Sequence, residues 1–317
     1  MIVKPTAREA EAGLRALSTI LGGGGALGPV EAALLRAVQR HILQTSFDLH
    51  RLSPIAPSEL ALELVRPEIR RQLAMAMVVL SFASGVASAR HATLIQVYTS
   101  ALGVTVREFE DLRLLIERRL ATLRFDILRH MYIGDRVAEL YQDQGFVGIV
   151  RALGGIAGVI ERPALAAKYR ALGKLPPGTL GRGYFDYAIE NHFPFPGERG
   201  GAPEMILPHD LAHVLGGYPT DPAGEMQVAA FTAGFRREQT ATILLFVLCQ
   251  FDLGIKMVPQ SAPEIGTLDP DRFFAAFVRG SKMTVDLFDQ WDFWPLVGES
   301  VDVLRDRFGI LPLNRAA

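Results

Sequence analysis

LPHDLAHVLGGYPTDPAGE, residues 207–225, is the stretch around which the fold of this chain is organised. An α-helix advances about 100° per residue, so with His209 at zero His213 lies at about 40° and Asp210 at about 100°. The sequence therefore predicts one helix that presents all three side chains on a single narrow face.

A turn must follow this helix. The glycine pair 216–217 removes helical preference, and Pro219 and Pro222 cannot donate backbone hydrogen bonds within a helix. A second helix can begin with Asp221 as N-cap and Pro222 at its first position, which places Glu225 in its first turn. Because short connections favour antiparallel helices, we expect Glu225 to return towards the histidines.

Two imidazoles and two carboxylates in this arrangement predict a site for one divalent metal ion. The predicted ligands are His209, Asp210, His213 and Glu225. This donor set suits Zn, Fe(II), Mn or Co and does not choose among them. An exposed i, i+4 histidine pair beside a solvated aspartate is the alternative. A zincin fits less well because it needs HExxH, and a His-Asp phosphohydrolase leaves His213 without a role.

The spacing of these four residues also resembles a known family. HDLAH, eleven intervening residues and Glu225 match the HDxxH-x11-E motif of the Coq4 family of ubiquinone biosynthesis. PPGTLGRGY, residues 176–184, resembles the PxGTLGxxY segment of that family. The end of the chain is similar to its closing helices, through Arg279-Gly280, Trp291, Leu304-Arg305 and Gly309-Ile-Leu-Pro312. The resemblance covers residues 135–313.

This resemblance implies a function. The implied substrate is a polyprenylated 4-hydroxybenzoate, and the implied reaction is an oxidative decarboxylation that replaces the C1 carboxylate with a hydroxyl, with other quinone-biosynthesis proteins as partners. The same four residues would hold the metal. A non-catalytic scaffold that binds a prenylated quinone precursor and uses the metal structurally is the main alternative, and a metallohydrolase of a lipid phosphate is a third.

Length and composition set wider limits. At 317 residues the chain exceeds the usual span of one core, so we expect two domains. A net charge of −1 argues against a nucleic-acid partner. The only cysteine, Cys249, lies in an apolar run and favours a reducing cytosol. We expect a cytoplasmic homo-oligomer that touches the inner membrane surface peripherally, since the N-terminus has no signal-like apolar segment.

We divide the chain into three segments. Residues 1–29 form an N-terminal helix and a glycine-rich linker, 30–134 an all-helical bundle, and 135–317 the metal- and lipid-binding domain. Within the bundle, helices are predicted at 30–47, 58–65, 67–82 and 89–102. A capping box of Thr105 and Glu108 then opens one long helix, whose apolar stripe runs from Phe109 to Ile127.

The bundle resembles the TerB-like helical domain of tellurite resistance over residues 35–125. The acidic positions characteristic of that family are occupied here by Ser84 and His91, so the resemblance carries no metal site to this segment. We interpret the bundle as a scaffold or docking module. His91 is interpreted as a capped or surface residue, as are His41, His50 and His130.

Several further predictions concern apolar and charged segments. The uncharged run 72–89 approaches the length of a membrane span, but its serines and glycine favour a buried helix. Residues 146–160 are apolar and glycine-dotted, which suits close helix packing or an apolar wall beside a lipid. The helix that begins at Pro222 is predicted to continue to Leu248, with Arg236 and Arg237 on a solvated face or at an anionic head group. His192 is a weak candidate for a metal-supporting role, and the aromatic cluster 291–294 for an interface.

Overall fold

The computed structural model describes residues 2–85, 87–131, 161–258, 261–289 and 291–313, and its regular elements are all helices. Within these ranges no strand forms, and the backbone pairs in β fashion only at two isolated bridges, Thr179–Ser300 and Leu253–Ile265. The predicted all-α class is therefore confirmed for the described part of the chain.

The first half contains seven helices among the described residues. They are α1 (Ala7–Leu21), α2 (Pro29–Ala37), α3 (Pro57–Glu63), α4 (Pro67–Ala83), α5 (Ala89–Leu102), α6 (Glu108–Ile116) and α7 (Leu120–Arg129), with a short π-helical segment, Val38–Leu43, after α2. Thr6 and Glu9 form a capping box at the start of α1. The apolar face of α1 is buried, so the helix packs into the core against α3, α4 and α5.

The second half carries the predicted metal residues. Its helices are α8 (Pro163–Arg170), α9 (Leu180–Glu190), α10 (Leu207–Gly216), α11 (Pro222–Phe235), α12 (Thr240–Phe251), α13 (Pro270–Ser281) and α14 (Val301–Phe308). Helices α11 and α13 make the most extensive contact of any described pair. Glycines permit this close approach, because a Cβ on Gly280 would lie 1.9 Å from the carbonyl oxygen of Phe231.

The two halves share one hydrophobic core. Helix α12 packs on α4 and α7, and α13 packs on α2 and the π-helical segment. Polar contacts cross the same boundary, since Arg40 pairs with Asp271 at 2.7 Å and Arg107 donates to the hydroxyl of Thr242 at 2.9 Å. The boundary between 134 and 135 lies outside the described residues, and the division into two domains stays a prediction.

The single long helix predicted after Thr105 is wrong. The helix begins only at Glu108, its N-cap is Arg107, and no side chain caps it. It ends at Ile116, because Arg118 adopts a left-handed conformation with φ +57° before α7 begins. The apolar stripe is continuous in sequence although the backbone breaks, which is why the pattern alone suggested one helix.

The helix predicted from Pro222 to Leu248 is also wrong in its length. Helix α11 ends at Phe235, and α12 begins at Thr240 after Gln239 turns with φ +62°. Arg236 does not lie on a solvated face: it is buried, and its guanidinium donates to Asp286 at 3.2 Å. Asp286 also accepts the backbone N–H of Arg237 at 3.2 Å, so a distant carboxylate stabilises the break.

Helix α4 confirms the prediction for the apolar run after Gln72. Its last turns are buried in the core, from Met77 to Ala83. None of the described helices combines the length and the apolarity needed to cross a bilayer. The apolar stretch 146–160 lies outside the described residues.

Candidate metal centre

Helix α10 carries the two histidines and ends where the sequence predicts. Gly217 has φ +74°, a conformation that favours glycine, and its N–H donates to the carbonyl of His213 at 2.7 Å. The chain then turns through Tyr218 into the next helix. This turn places His213 about one helical turn before the end of α10, beside the start of α11.

Helix α11 begins as its capping residues require. The Asp221 carboxylate accepts the backbone N–H of Gly224 at 2.8 Å, and Pro222 occupies the first turn. Gly224 passes so close to Pro219 that a Cβ there would lie 2.1 Å from the Pro219 oxygen. This tight turn sets Glu225 in the first turn of α11, against the histidines of α10.

Three of the four predicted ligands come together. Glu225 Oε1 lies 3.3 Å from His213 Nε2, and Glu225 Oε2 lies 3.4 Å from His209 Nε2. The two Nε2 atoms are 3.3 Å apart. A metal ion about 2.0–2.1 Å from each ligand separates tetrahedral ligands by about 3.3–3.4 Å. His209, His213 and Glu225 therefore form a triangle of side chains whose neighbouring donor atoms are spaced as in a tetrahedral site, with a different Glu225 oxygen facing each histidine.

The tautomer of His213 suits a metal ligand. Its Nδ1 lies 3.1 Å from the backbone carbonyl oxygen of Tyr218, and because a carbonyl can only accept, Nδ1 carries the proton. Nε2 therefore faces Glu225 and is the nitrogen that is available to a metal. The ring of Tyr187 stacks on His213, with centroids 5.5 Å apart, and the His213 side chain is completely buried.

The charges at the triangle are strongly coupled. Burial alone would raise the pKa of Glu225, but hydrogen bonds from His209 and His213 outweigh it and lower this pKa to about 2. For His209, burial lowers the pKa, yet the Glu225 carboxylate raises it overall. An ionised carboxylate beside two imidazoles is the donor set that binds a divalent transition metal.

Asp210 lies next to the triangle without joining it. The group whose ligand atoms all lie within 4.8 Å of one another contains only His209, His213 and Glu225 among the described residues. Burial raises the pKa of Asp210 to about 6, and the two histidines oppose this rise. Its charge also contributes to the raised pKa of Tyr187, whose first cause is burial.

Helices α8 and α9 and the segment before α14 form an aromatic wall. Tyr169 contacts Tyr184 at 5.7 Å between centroids and Trp294 at 5.0 Å. The Tyr169 hydroxyl donates to Glu204 at 2.9 Å. No pattern in the sequence singles out Tyr169 or Glu204. Tyr184 is the last residue of the PPGTLGRGY segment that resembles the Coq4 family.

Two arginines from the C-terminal helices hold the end of α10. Arg279 donates to the carbonyl of Gly216 at 2.6 Å and to that of Leu311 at 2.5 Å. Arg305 donates to the carbonyls of Leu215 and Val214, at 3.0 and 3.2 Å. Cations at a helix C-terminus also complement the helix dipole. In the sequence, both arginines stand out only within the segments that resemble the Coq4 family.

The remaining histidines lie elsewhere. His91 is buried, with Nδ1 2.7 Å from the Ser88 hydroxyl, which confirms its interpretation as a capped residue. His41 approaches Asp271 at 3.0 Å, and His130 lies 3.1 Å from Arg107. His192 is exposed at the end of α9 in a left-handed conformation.

Two other sequence predictions concern apolar residues. Cys249 is buried in the core, and burial raises the pKa of its thiol. In the aromatic cluster 291–294, Phe293 is buried and Trp291 packs edge-on against Phe308, 6.1 Å between centroids. Both rings thus contribute to the packing of the C-terminal helices.

Comparison of the chain with protein-family models, with curated proteins and with solved structures finds no match. The comparisons therefore assign no family. Function has to be inferred from the residues and the geometry of the metal centre.

Proposed function

We propose that this protein is a metal-dependent enzyme that acts on a prenylated aromatic acid. The observation that carries the proposal is the triangle of His209, His213 and Glu225, in which both imidazole Nε2 atoms and the nearest carboxylate oxygen of each lie 3.3–3.4 Å apart and all ligand atoms lie within 4.8 Å of one another. Zn, Fe, Mn and Co fit these donors. Asp210 is the fourth ligand that the resemblance to the Coq4 family implies.

The exposure of the ligands supports access from one side. The His213 side chain is completely buried, whereas that of His209 is 35% exposed. A substrate would therefore approach past His209. Catalytic metal sites keep such an open position, while structural sites are closed by protein ligands.

The surroundings suit an amphipathic aromatic substrate. Tyr187 contacts both His213 and Phe193, and Phe193 and Ile189 are exposed large apolar side chains at the end of α9. An apolar surface thus runs from the centre to the outside. In the proposal, the tyrosines orient the ring and this surface holds the start of the prenyl chain. Such a substrate resides in a bilayer, so we propose peripheral contact with the inner membrane surface.

The proposed reaction exchanges the C1 carboxylate for a hydroxyl. One aromatic acid, one O2, two electrons and two protons give one phenol, one CO2 and one water, so the reaction requires an external reductant. When bound, the metal would act as a Lewis acid towards the carboxylate and phenol. The protein contributes ligands, a ring-binding wall and exclusion of water from the buried side.

Metal content tests the centre. We expect about one equivalent of a transition metal in protein purified without chelator or added metal, measured by elemental mass spectrometry. His213→Ala should lose it, and His50→Ala, which removes an exposed histidine, should keep it. Equal metal content in wild type and His213→Ala, with both folded, would refute the proposal.

Turnover tests the reaction. The substrate is a prenylated 4-hydroxybenzoate labelled with 13C at the carboxylate, supplied with O2 and a chemical reductant, and the product measured is labelled CO2. An enzyme releases many equivalents of CO2 per chain, and His213→Ala should release none. Stoichiometric binding of the substrate without release of CO2 would instead support a non-catalytic lipid-binding scaffold.

A further inference from the structure

A ligand-sized space lies away from the metal centre. It is a half-open cavity of about 360 Å³ between α1, α4 and the helices α11–α13. None of the metal residues lines it. Gly234, which does, is nine residues beyond Glu225 on α11, about 14 Å along the helix axis. Its lining is mainly apolar and includes Leu14, Val38, Leu73, Val79, Leu244 and Phe274.

The size of this cavity is unusual for a packing defect. Protein interiors contain few voids larger than a water molecule. Small-molecule sites occupy about 300–1,000 Å³ and are lined mostly by apolar side chains with a few polar groups. This cavity has the volume and the mainly apolar lining of a small-molecule site.

Gly13 indicates that the space is kept open by the sequence. It lies in the interior of α1, where glycine costs about 1 kcal/mol relative to alanine. Close packing does not require it, because a Cβ there would meet only the side chain of Leu73, at 3.6 Å. The missing side chain instead enlarges the cavity.

Four charged side chains line the cavity, two arginines and two glutamates. Arg71 on α4 and Arg237 after α11 both line it. Arg237 is 75% exposed, and its contact with Asp289 is a loose one of 3.8 Å at the surface. Of the two acidic lining residues, Glu9 is held by Arg66 at 2.5 Å and Glu68 is exposed.

The N-terminal strap, residues 2–5, closes one side of the cavity. Ile2, Val3 and Pro5 line it, and Gln72 holds Val3 with two hydrogen bonds to its backbone, of 2.8 and 3.1 Å. The strap precedes α1 and contributes no helix to the core.

We propose that this cavity binds a single-chain amphiphile with an anionic head group. The apolar chain fills the space beside Gly13 and Leu73, and the carboxylate or phosphate lies between Arg71 and Arg237. Fatty acids and prenyl phosphates share this chemistry. The site is separate from the metal centre and does not depend on the reaction proposed there.

Calorimetry on the full chain tests the proposal, with lauric acid and farnesyl monophosphate as probes and dodecanol and farnesol as their neutral counterparts. We expect one equivalent of an anionic probe to bind, in wild type and in His213→Ala alike. The probe that binds more tightly identifies the head group. Absence of binding for both anions, equal binding of the neutral alcohols, or loss of binding in His213→Ala would overturn the proposal.

Variants locate the site. Gly13→Leu should fill the cavity and abolish binding, whereas Gly13→Ala should retain it. Arg71→Ala and Arg237→Ala change only surface charge, and each should weaken binding roughly 2- to 5-fold. Arg119→Ala, an exposed arginine away from the cavity, is the matched control. Unchanged affinity in both arginine variants and in a folded Gly13→Leu would refute this location.

Discussion

The Nδ1 atom of His213 lies 3.1 Å from the carbonyl oxygen of Tyr218, in the turn that follows the helix of His213. The same turn that ends α10 thus decides which nitrogen of the imidazole is available to a metal. Outer hydrogen bonds of this kind orient metal-binding histidines and fix their tautomers.

We expect His213 to hold its proton on Nδ1 both with and without a metal. Long-range 1H–15N NMR of histidine-labelled protein can read this tautomer directly. On addition of Zn2+, the Nε2 resonance of His213 should shift while Nδ1 stays protonated. A proton on Nε2 in the metal-bound protein would contradict the geometry, and exposed His50 provides a reference that should not respond.

The ligand triangle predicts unequal contributions from the two carboxylates. Glu225→Gln should lower metal affinity by more than the roughly 10- to 100-fold typical of losing an outer partner, because Glu225 Oε1 and Oε2 lie 3.3–3.4 Å from the two Nε2 atoms. Asp210→Asn should lower it less, because Asp210 lies outside this group. Competition with a chromophoric chelator measures both. An equal or larger loss in Asp210→Asn would show that Asp210 is a primary ligand.

Arg279 links the stability of the fold to the metal centre. It is buried, lies over the rings of Tyr218 and Phe231 at 5.3 Å, and donates to two backbone carbonyls. Arg279→Leu should lower the free energy of unfolding by roughly 2–4 kcal/mol, since carbonyls bonded to a charged group lose their partner. It should also weaken metal binding, because Tyr218 positions His213.

Urea unfolding and metal titration measure these two effects of Arg279. The exposed Arg272 on the same helix is the control, and Arg272→Leu should stay within about 0.5 kcal/mol of wild type. If Arg279→Leu matched that control, the guanidinium would not be what holds the end of α10.

The hairpin of α10 and α11 can be predicted from the sequence to the extent that its causes are local. Asp221, Pro222 and Gly217 define helix ends through their own backbone chemistry, and the structure places those ends where they predict. The i, i+4 spacing of the histidines likewise needs no distant contact. These features account for α10, for the start of α11 and for the proximity of three of the four predicted ligands.

Other features depend on contacts that no local pattern shows. The break after Phe235 is stabilised by Asp286, fifty residues away from Arg236. The pairing of Tyr169 with Glu204 joins segments that are thirty-five residues apart. The core shared by both halves depends on α12 meeting α4 and α7. The periodicity of apolar residues predicts the buried faces of these helices, but it does not predict which helices they contact.

Asp111 should make the stability of the protein fall with rising pH. It is completely buried, with one carboxylate oxygen that lacks a hydrogen-bond partner. Burial raises its pKa to about 7, although the Arg107 guanidinium opposes this, and the neighbouring Asp126 also favours protonation of Asp111. The folded state therefore binds more protons than the unfolded state between about pH 4 and 7.

This difference in bound protons links the free energy of unfolding to pH. Where the folded state binds more protons, each rise in pH lowers the free energy of unfolding, so Asp111 destabilises the fold increasingly from about pH 4 to 7. Urea unfolding across this range measures the slope. Asp111→Asn should flatten it relative to wild type, whereas Asp48→Asn, an exposed control, should not. An unchanged slope in Asp111→Asn would show that this carboxyl does not carry the pH dependence.

The contact between α11 and α13 predicts a strong dependence on glycine. A Cβ on Gly280 would lie 1.9 Å from the Phe231 oxygen, so Gly280→Ala must push the two helices apart. Overpacking of this kind typically costs about 1–3 kcal/mol. Gly298 is a matched control, because nothing lies within 4 Å of a Cβ there. Thermal unfolding should show a lower midpoint for Gly280→Ala and an unchanged midpoint for Gly298→Ala. Equal midpoints would mean that the helices can separate at little cost. Because Glu225 lies on α11, Gly280→Ala should also weaken metal binding, which a competition assay would detect.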